Sequence, residues 1–91
     1  MIESYAAIDR IENDLVILEI ELYSTEKNQD IPFPRRDCYM ADVQLKAFAS
    51  LGEIHEGDVF VVKHDDNTVI PVRFAPEEKE ARIEFLRKLI G

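Results

Sequence analysis

Tyr5-Ala6-Ala7-Ile8-Asp9-Arg10-Ile11-Glu12-Asn13-Asp14-Leu15-Val16-Ile17-Leu18-Glu19-Ile20-Glu21-Leu22 is the stretch on which the fold turns. Two β-rich arms flank Asn13-Asp14, whose short polar side chains tolerate the left-handed backbone that tight hairpin turns demand. In the second arm Val16, Leu18, Ile20 and Leu22 share one face, and Leu15, Ile17, Glu19 and Glu21 share the other. That alternation buries one face throughout and the start of the other, as a strand does when it bends over a barrel mouth or is covered at one end by a helix. In the first arm Ala6 and Ile8 share a face but Ile11 has switched, so a bulge near Asp9-Arg10 is needed to repair the register. Strands are therefore placed over about 5–12 and 15–23.

Downstream, Ser24 to Asn28 reads as a polar loop. Ile31-Pro32-Phe33-Pro34 follows, where alternate prolines cannot donate to a ladder, so a strand over about 30–34 is confined to a sheet edge. Met40, Val43, Ala47, Phe48 and Leu51 recur as one face of a helix, which predicts a helix over about 40–50 that Gly52 terminates. Glu56-Gly57-Asp58 is a turn that feeds a second hairpin, with strands over about 59–64 and 68–74 around Asp65-Asp66-Asn67. In the last strand Ile70, Val72 and Phe74 point one way and Pro71 the other, which marks an exposed edge. Pro76 suits the first turn of a helix over 76–90. Glu77, Glu78 and Glu80 complement the positive end of its dipole, and Arg87 and Lys88 the negative end. Ile83, Leu86 and Ile90, widened by Phe85 and Leu89, form its apolar stripe. The 91 residues leave room for one domain over 1–91. The fold class expected is mainly β (α+β): a small SH3-like or OB-like partly open barrel of about five antiparallel strands, with a middle helix and a C-terminal helix.

Nineteen acidic residues against eleven basic ones give a formal charge of −8, a surface that repels phosphate backbones at long range and disfavours nucleic acid as a partner. The acidity is uneven: residues 1–45 carry ten carboxylates against four basic side chains, and 46–91 carry nine against seven. Cys38 is the sole cysteine, so no intrachain disulfide forms. No basic segment leading into an apolar stretch opens the chain, and its longest apolar run, Leu15 to Leu18, is far short of the roughly 20 residues of a spanning helix. The expectation is a cytoplasmic protein without membrane contact.

The residues that could carry chemistry are few. His55, His64, Asp65, Asp66 and Cys38 fall at no metal-ligand spacing, and Asp65-Asp66-Asn67 is explained by a hairpin turn; no metal and no cofactor is expected. Ser4, Ser24, Ser50 and Cys38 lack a glycine-flanked elbow, and neither histidine has a visible orienting partner, so no catalytic residue is assigned. Asp9 with Glu12, and Glu19 with Glu21, could do acid–base work if desolvated but read as a solvated strand face. Arg35-Arg36 with Tyr39 is the one basic cluster. It could grip an anion or stack on a base, and it reads first as neutralising the acidic N-terminal half.

In Ala7-Ile8-Asp9-Arg10-Ile11-Glu12 followed by Leu15-Val16-Ile17-Leu18-Glu19, in Glu56-Gly57-Asp58-Val59-Phe60, and in Arg82-Ile83 with Leu86 and Lys88-Leu89, the chain resembles the domain of unknown function 3006 family of small bacterial proteins. The resemblance covers most of the chain in order. Cys38 to Leu51 is longer than the family's usual connection, and the threonine that commonly precedes its last helix is missing. It implies a β-plus-helix fold, no catalytic residue, and, through relatives joined to or neighbouring metallo-β-lactamase-like hydrolases, an accessory role.

Taken together, the residues favour a non-enzymatic interaction module that docks to a protein partner or to itself, with Phe85 and Leu89 on its surface. A small barrel binding an oligonucleotide or anionic ligand through Arg35, Arg36 and Tyr39 is the alternative. An enzyme built on desolvated carboxylates ranks last.

Overall fold

A computed structural model describes residues 1–28, 30–32, 35 and 37–90. Its elements are β1 (Ile2–Glu12), β2 (Leu15–Glu21), α1 (Thr25–Asn28), β3 (Cys38–Gln44), a 3-10 helix (Leu45–Leu51), β4 (Val59–His64), β5 (Val69–Phe74) and α2 (Pro76–Ile90). The first hairpin forms as its residues dictate. Asn13 takes the left-handed conformation with φ 55°, and the β1–β2 register slips between Ile8 and Arg10, where the switch of Ile11 required a bulge. The second hairpin closes on Asp65, whose carboxylate accepts the backbone N–H groups of Asn67 and Thr68, both at 2.9 Å.

All pairings are antiparallel, and the strand order is β3-β2-β1-β4-β5. The expected mainly β, α+β domain is the observed one, an open five-stranded sheet with a C-terminal helix. The sheet curls strongly: the Tyr39 hydroxyl on β3 lies 2.8 Å from His64 Nδ1 on β4, although β2 and β1 separate those strands. Its concave face holds the main core, with Ile8, Val16, Leu18, Ile20, Phe60 and Val62 closed over by Phe48. Phe48 meets Phe60 edge to face, with ring centroids 5.2 Å apart. On the convex face Tyr5, Val59, Val61 and Ala75 form a smaller cluster beside α2.

The middle of the chain departs from expectation. The helix over 40–50 is instead strand β3 followed by the seven-residue 3-10 helix, which Gly52 ends at φ 92°. Tyr39, Ala41 and Val43 alternate into the core, opposite Ile20, Leu18 and Val16, and the ladder with β2 prevails over a helical spacing assembled from two different elements. The edge strand expected over 30–34 is not one: Asp30, Ile31 and Pro32 lie outside any strand, Phe33 and Pro34 lie outside the described residues, and β3 takes the edge beside β2. The loop at Ser24 to Asn28 contains the single turn α1, and the Ser24 hydroxyl accepts the Lys27 N–H at 3.2 Å.

Helix α2 crosses the convex face from one edge of the sheet to the other. Its first turn grows from Ala75, which bonds to Val59 beside β5; Lys79 then reaches Asp58, Arg82 reaches Glu21 on β2, and Phe85 and Leu86 border a cleft with Cys38 on β3. Leu89 and Ile90 sit about one turn, ~5 Å, farther along the axis.

Candidate functional site

Three places bring polar or reactive groups together. The first is the mouth of the concave face, where His64 Nε2 lies 2.8 Å from the Ser4 hydroxyl and Nδ1 2.8 Å from that of Tyr39. The chain Ser4–His64–Tyr39 ties β1, β4 and β3, and burial holds the imidazole below its ordinary value, so it is neutral near pH 7. A neutral ring donates from one nitrogen and accepts at the other, which suits two hydroxyl partners. Ser4 is fully buried, so its oxygen meets His64 and not solvent. The group braces strands. The orienting partner that the sequence does not show for His64 is Ser4, sixty positions away, and only the β1–β4 pairing brings the two together.

The second place lies beneath α2. Glu21, expected on a solvated face, is buried between Arg82, Arg35 and the Asn28 side chain, all of which approach its carboxylate. Glu78 pairs with the same two arginines, with Arg82 Nε at 3.6 Å. Burial pushes the Glu21 carboxyl above its ordinary value, against the pull of Arg82 and Arg35. Cys38 lies at the outer rim of this cluster, and burial, reinforced by Glu19, pushes its thiol up to about 11. A thiol so protonated is a weak nucleophile. Among the described residues no three His, Cys, Asp or Glu side chains converge as a metal site. No helix among them is long and apolar enough to cross a membrane.

The third place is the β3 edge. Antiparallel pairs alternate between those that exchange hydrogen bonds and those that do not. Leu22 N–H donates to the Asp37 carbonyl at 2.8 Å and Leu45 N–H to the Asp14 carbonyl at 2.7 Å, at the two ends of the β2–β3 ladder. Counting inward from these ends, Tyr39, Ala41 and Val43 bond to β2, while the backbone groups of Cys38, Met40, Asp42 and Gln44 face outward. The chain matches no family model, no curated protein and no solved structure. The reading of this edge therefore rests on its own geometry. On the concave side β3 faces the β4–β5 turn across an open cleft of about 510 Å³ bordered by Asp65 and Asp66, with no basic side chain among its described residues; the Asp42 side chain lies on the convex face with that of Met40. On the convex side the end of α2 projects over it. Leu86, Leu89 and Ile90 are 55%, 67% and 88% exposed, and Met40, on the same convex side of the sheet, is 52% exposed.

The residues singled out in sequence scatter accordingly. Arg35 is buried against Glu21 and Glu78 on the convex side. Tyr39 faces the concave side and His64, so the structure does not bring the two to one surface. Arg36 lies outside the described residues. Phe85 is half-buried beside Cys38, and Leu89 is exposed on the projecting end of α2.

Proposed function

We propose that this protein is a non-enzymatic interaction module that docks a protein partner on its β3 flank. The observation that carries this is the projecting end of α2, where three large apolar side chains sit more than half exposed beside an edge that pairs with no further described strand. Such a helix end gains little from its own sheet, and burying Leu86 and Leu89 against a second protein would contribute roughly 1.5–3 kcal/mol for each side chain fully covered. The groups of catalytic type argue the same way: Ser4 is sealed, His64 is occupied on both nitrogens, and Cys38 holds its proton. Kinship with the domain of unknown function 3006 family belongs to the same proposal and is supported by the strand, turn and helix residues quoted above.

A photo-crosslinking side chain placed at Leu89, at Met40 and, as a control, at exposed Glu56 tests the reading in cells. A discrete adduct from Leu89 and Met40 but not Glu56, with the captured protein then binding the purified module, is the expected result. Folded protein that yields no adduct from either position beyond the Glu56 background overturns it.

A further inference from the structure

We propose that β3 takes up an extended basic-and-apolar segment of a partner protein as a sixth strand, beneath the projecting end of α2; this rests on the docking reading above. An unpaired edge is the simplest template for another chain, because its outward N–H and C=O groups already stand in ladder geometry. Four consecutive outward positions, Cys38, Met40, Asp42 and Gln44, span the whole of β3, and no proline interrupts them.

The surroundings select the occupant. Side chains of an added strand alternate between its faces, so one set points to the convex side and the other into the cleft. On the convex side they would meet Met40, which shares its face of β3 with Asp42 and Gln44, and the exposed Leu86 and Leu89, so the large side chains on offer there are apolar. In the cleft they would meet Asp65 and Asp66, a surface for lysine or arginine. A segment alternating apolar with basic residues satisfies both. A second copy of this chain does not: it carries a net charge of −8, and pairing β3 with β3 would bring Asp42 and its neighbours toward their own copies. Electrostatic matching of this kind governs which partner docks and how fast.

The probe is a capped heptapeptide alternating lysine and valine, titrated into the 15N-labelled protein at about 0.15 M salt, where long-range attraction is largely screened. Two further versions carry N-methyl groups on the lysines or on the valines, and a fourth replaces lysine with glutamate. The expected result is binding with exchange protection at the amides of Cys38, Met40, Asp42 and Gln44. One N-methylated version should bind at least tenfold more weakly and the other about as well as the parent, because only alternate peptide N–H groups face β3. The glutamate version should not bind. Absence of binding by the parent peptide overturns the proposal, as does equal binding of both N-methylated versions, which is the behaviour of charge attraction without a ladder. Met40→Pro removes an outward donor and should weaken the parent peptide at least tenfold. If Leu89 crosslinking persists in Met40→Pro, the docking reading stands and strand addition falls; if no partner is captured from Leu89 even in the native sequence, both fall.

Discussion

The two edges of this sheet are built to different ends. At β5, Ala75 N–H bonds to Val59 and Asp65 N–H to Thr68, so the alternation leaves Val69, Pro71 and Phe74 facing outward, with a register slip between Val61 and Val62 interrupting the row. A proline without a donor, set next to an irregularity, blunts that edge against another chain. At β3 neither device is present, and the edge runs regularly for seven residues. One edge is blunted and the other runs regular beneath an exposed apolar helix end, and the proposed strand addition at β3 rests on that difference.

The largest effect should come from the cover. Glu21→Ala removes the carboxylate that Arg82 and Arg35 share, so Glu78 becomes the one carboxylate that both guanidiniums are seen to pair with. A loss of about 3 kcal/mol is expected, read as a lowered urea midpoint, since breaking a buried pair strands its partner. Amide exchange in the second half of α2 should rise as well. A variant of native stability would mean that the cluster does not hold α2 over β3.

Next in size is the direction of the β3 backbone. Ala41→Pro deletes a donor that bonds to β2 and should cost about 1–3 kcal/mol, as a buried carbonyl loses its partner. Met40→Pro, one residue away, deletes a donor that faces outward and should cost less than ~1 kcal/mol. Equal melting temperatures for the two variants would contradict the alternation on which the whole edge argument stands.

Sequence alone carried the hairpins well and the site poorly, for a physical reason. Val16, Leu18 and Ile20 state their period locally, and Asn13 and Pro76 state their backbone locally, so β1, β2 and the start of α2 were legible. The period-2 signal of Tyr39, Ala41 and Val43 was present but three residues long, and Met40, Ala47 and Leu51 on either side of Gln44 imitated a helix. An edge is a property of topology: nothing within Cys38–Gln44 says that β3 pairs with β2 alone among the described strands. Glu21 looked solvated because what covers it, Arg82 and Asn28, arrives from elsewhere in the chain. Of the apolar stripe on α2, Ile83 and Phe85 are half-buried while Leu86, Leu89 and Ile90 stay exposed, and the length of the sheet beneath decides where along the helix that change falls.

A smaller effect concerns the mouth that links β3 to β4. The folded-state value of His64 lies below the ordinary 6.5, so at low pH the unfolded chain takes up a proton that the folded chain refuses. Stability contributed by neutral His64 is thus present above about pH 6.5 and drains as pH falls toward the folded value. Glu21, whose folded value is raised, contributes in the opposite direction, losing stability as pH rises through that value. Comparison with His64→Gln isolates the histidine: the melting temperature of the native sequence minus that of the variant should shrink between pH 7.5 and pH 5.5. A difference that grows on acidification would mean that His64 is charged in the folded protein.

The smallest effect, and the most direct exchange between the two edges, is Pro71→Val. The substitution returns an N–H to an outward position of β5 and supplies a β-branched side chain suited to a strand. Intrinsic stability should change by no more than about 0.5 kcal/mol, because the restored donor meets water in the monomer. What should change is association. With the donor back, β5 gains part of the template character of β3, and sedimentation at high protein concentration should register a weak increase in dimer that salt enhances by screening the net charge of −8. The register slip at Val61 and Val62 remains in place, so the gain should stay below what an uninterrupted strand would give. If Pro71→Val is as monomeric as the native protein at every salt concentration, the slip alone guards that edge, and the regular run of β3, more than its lack of proline, is what opens it to a partner.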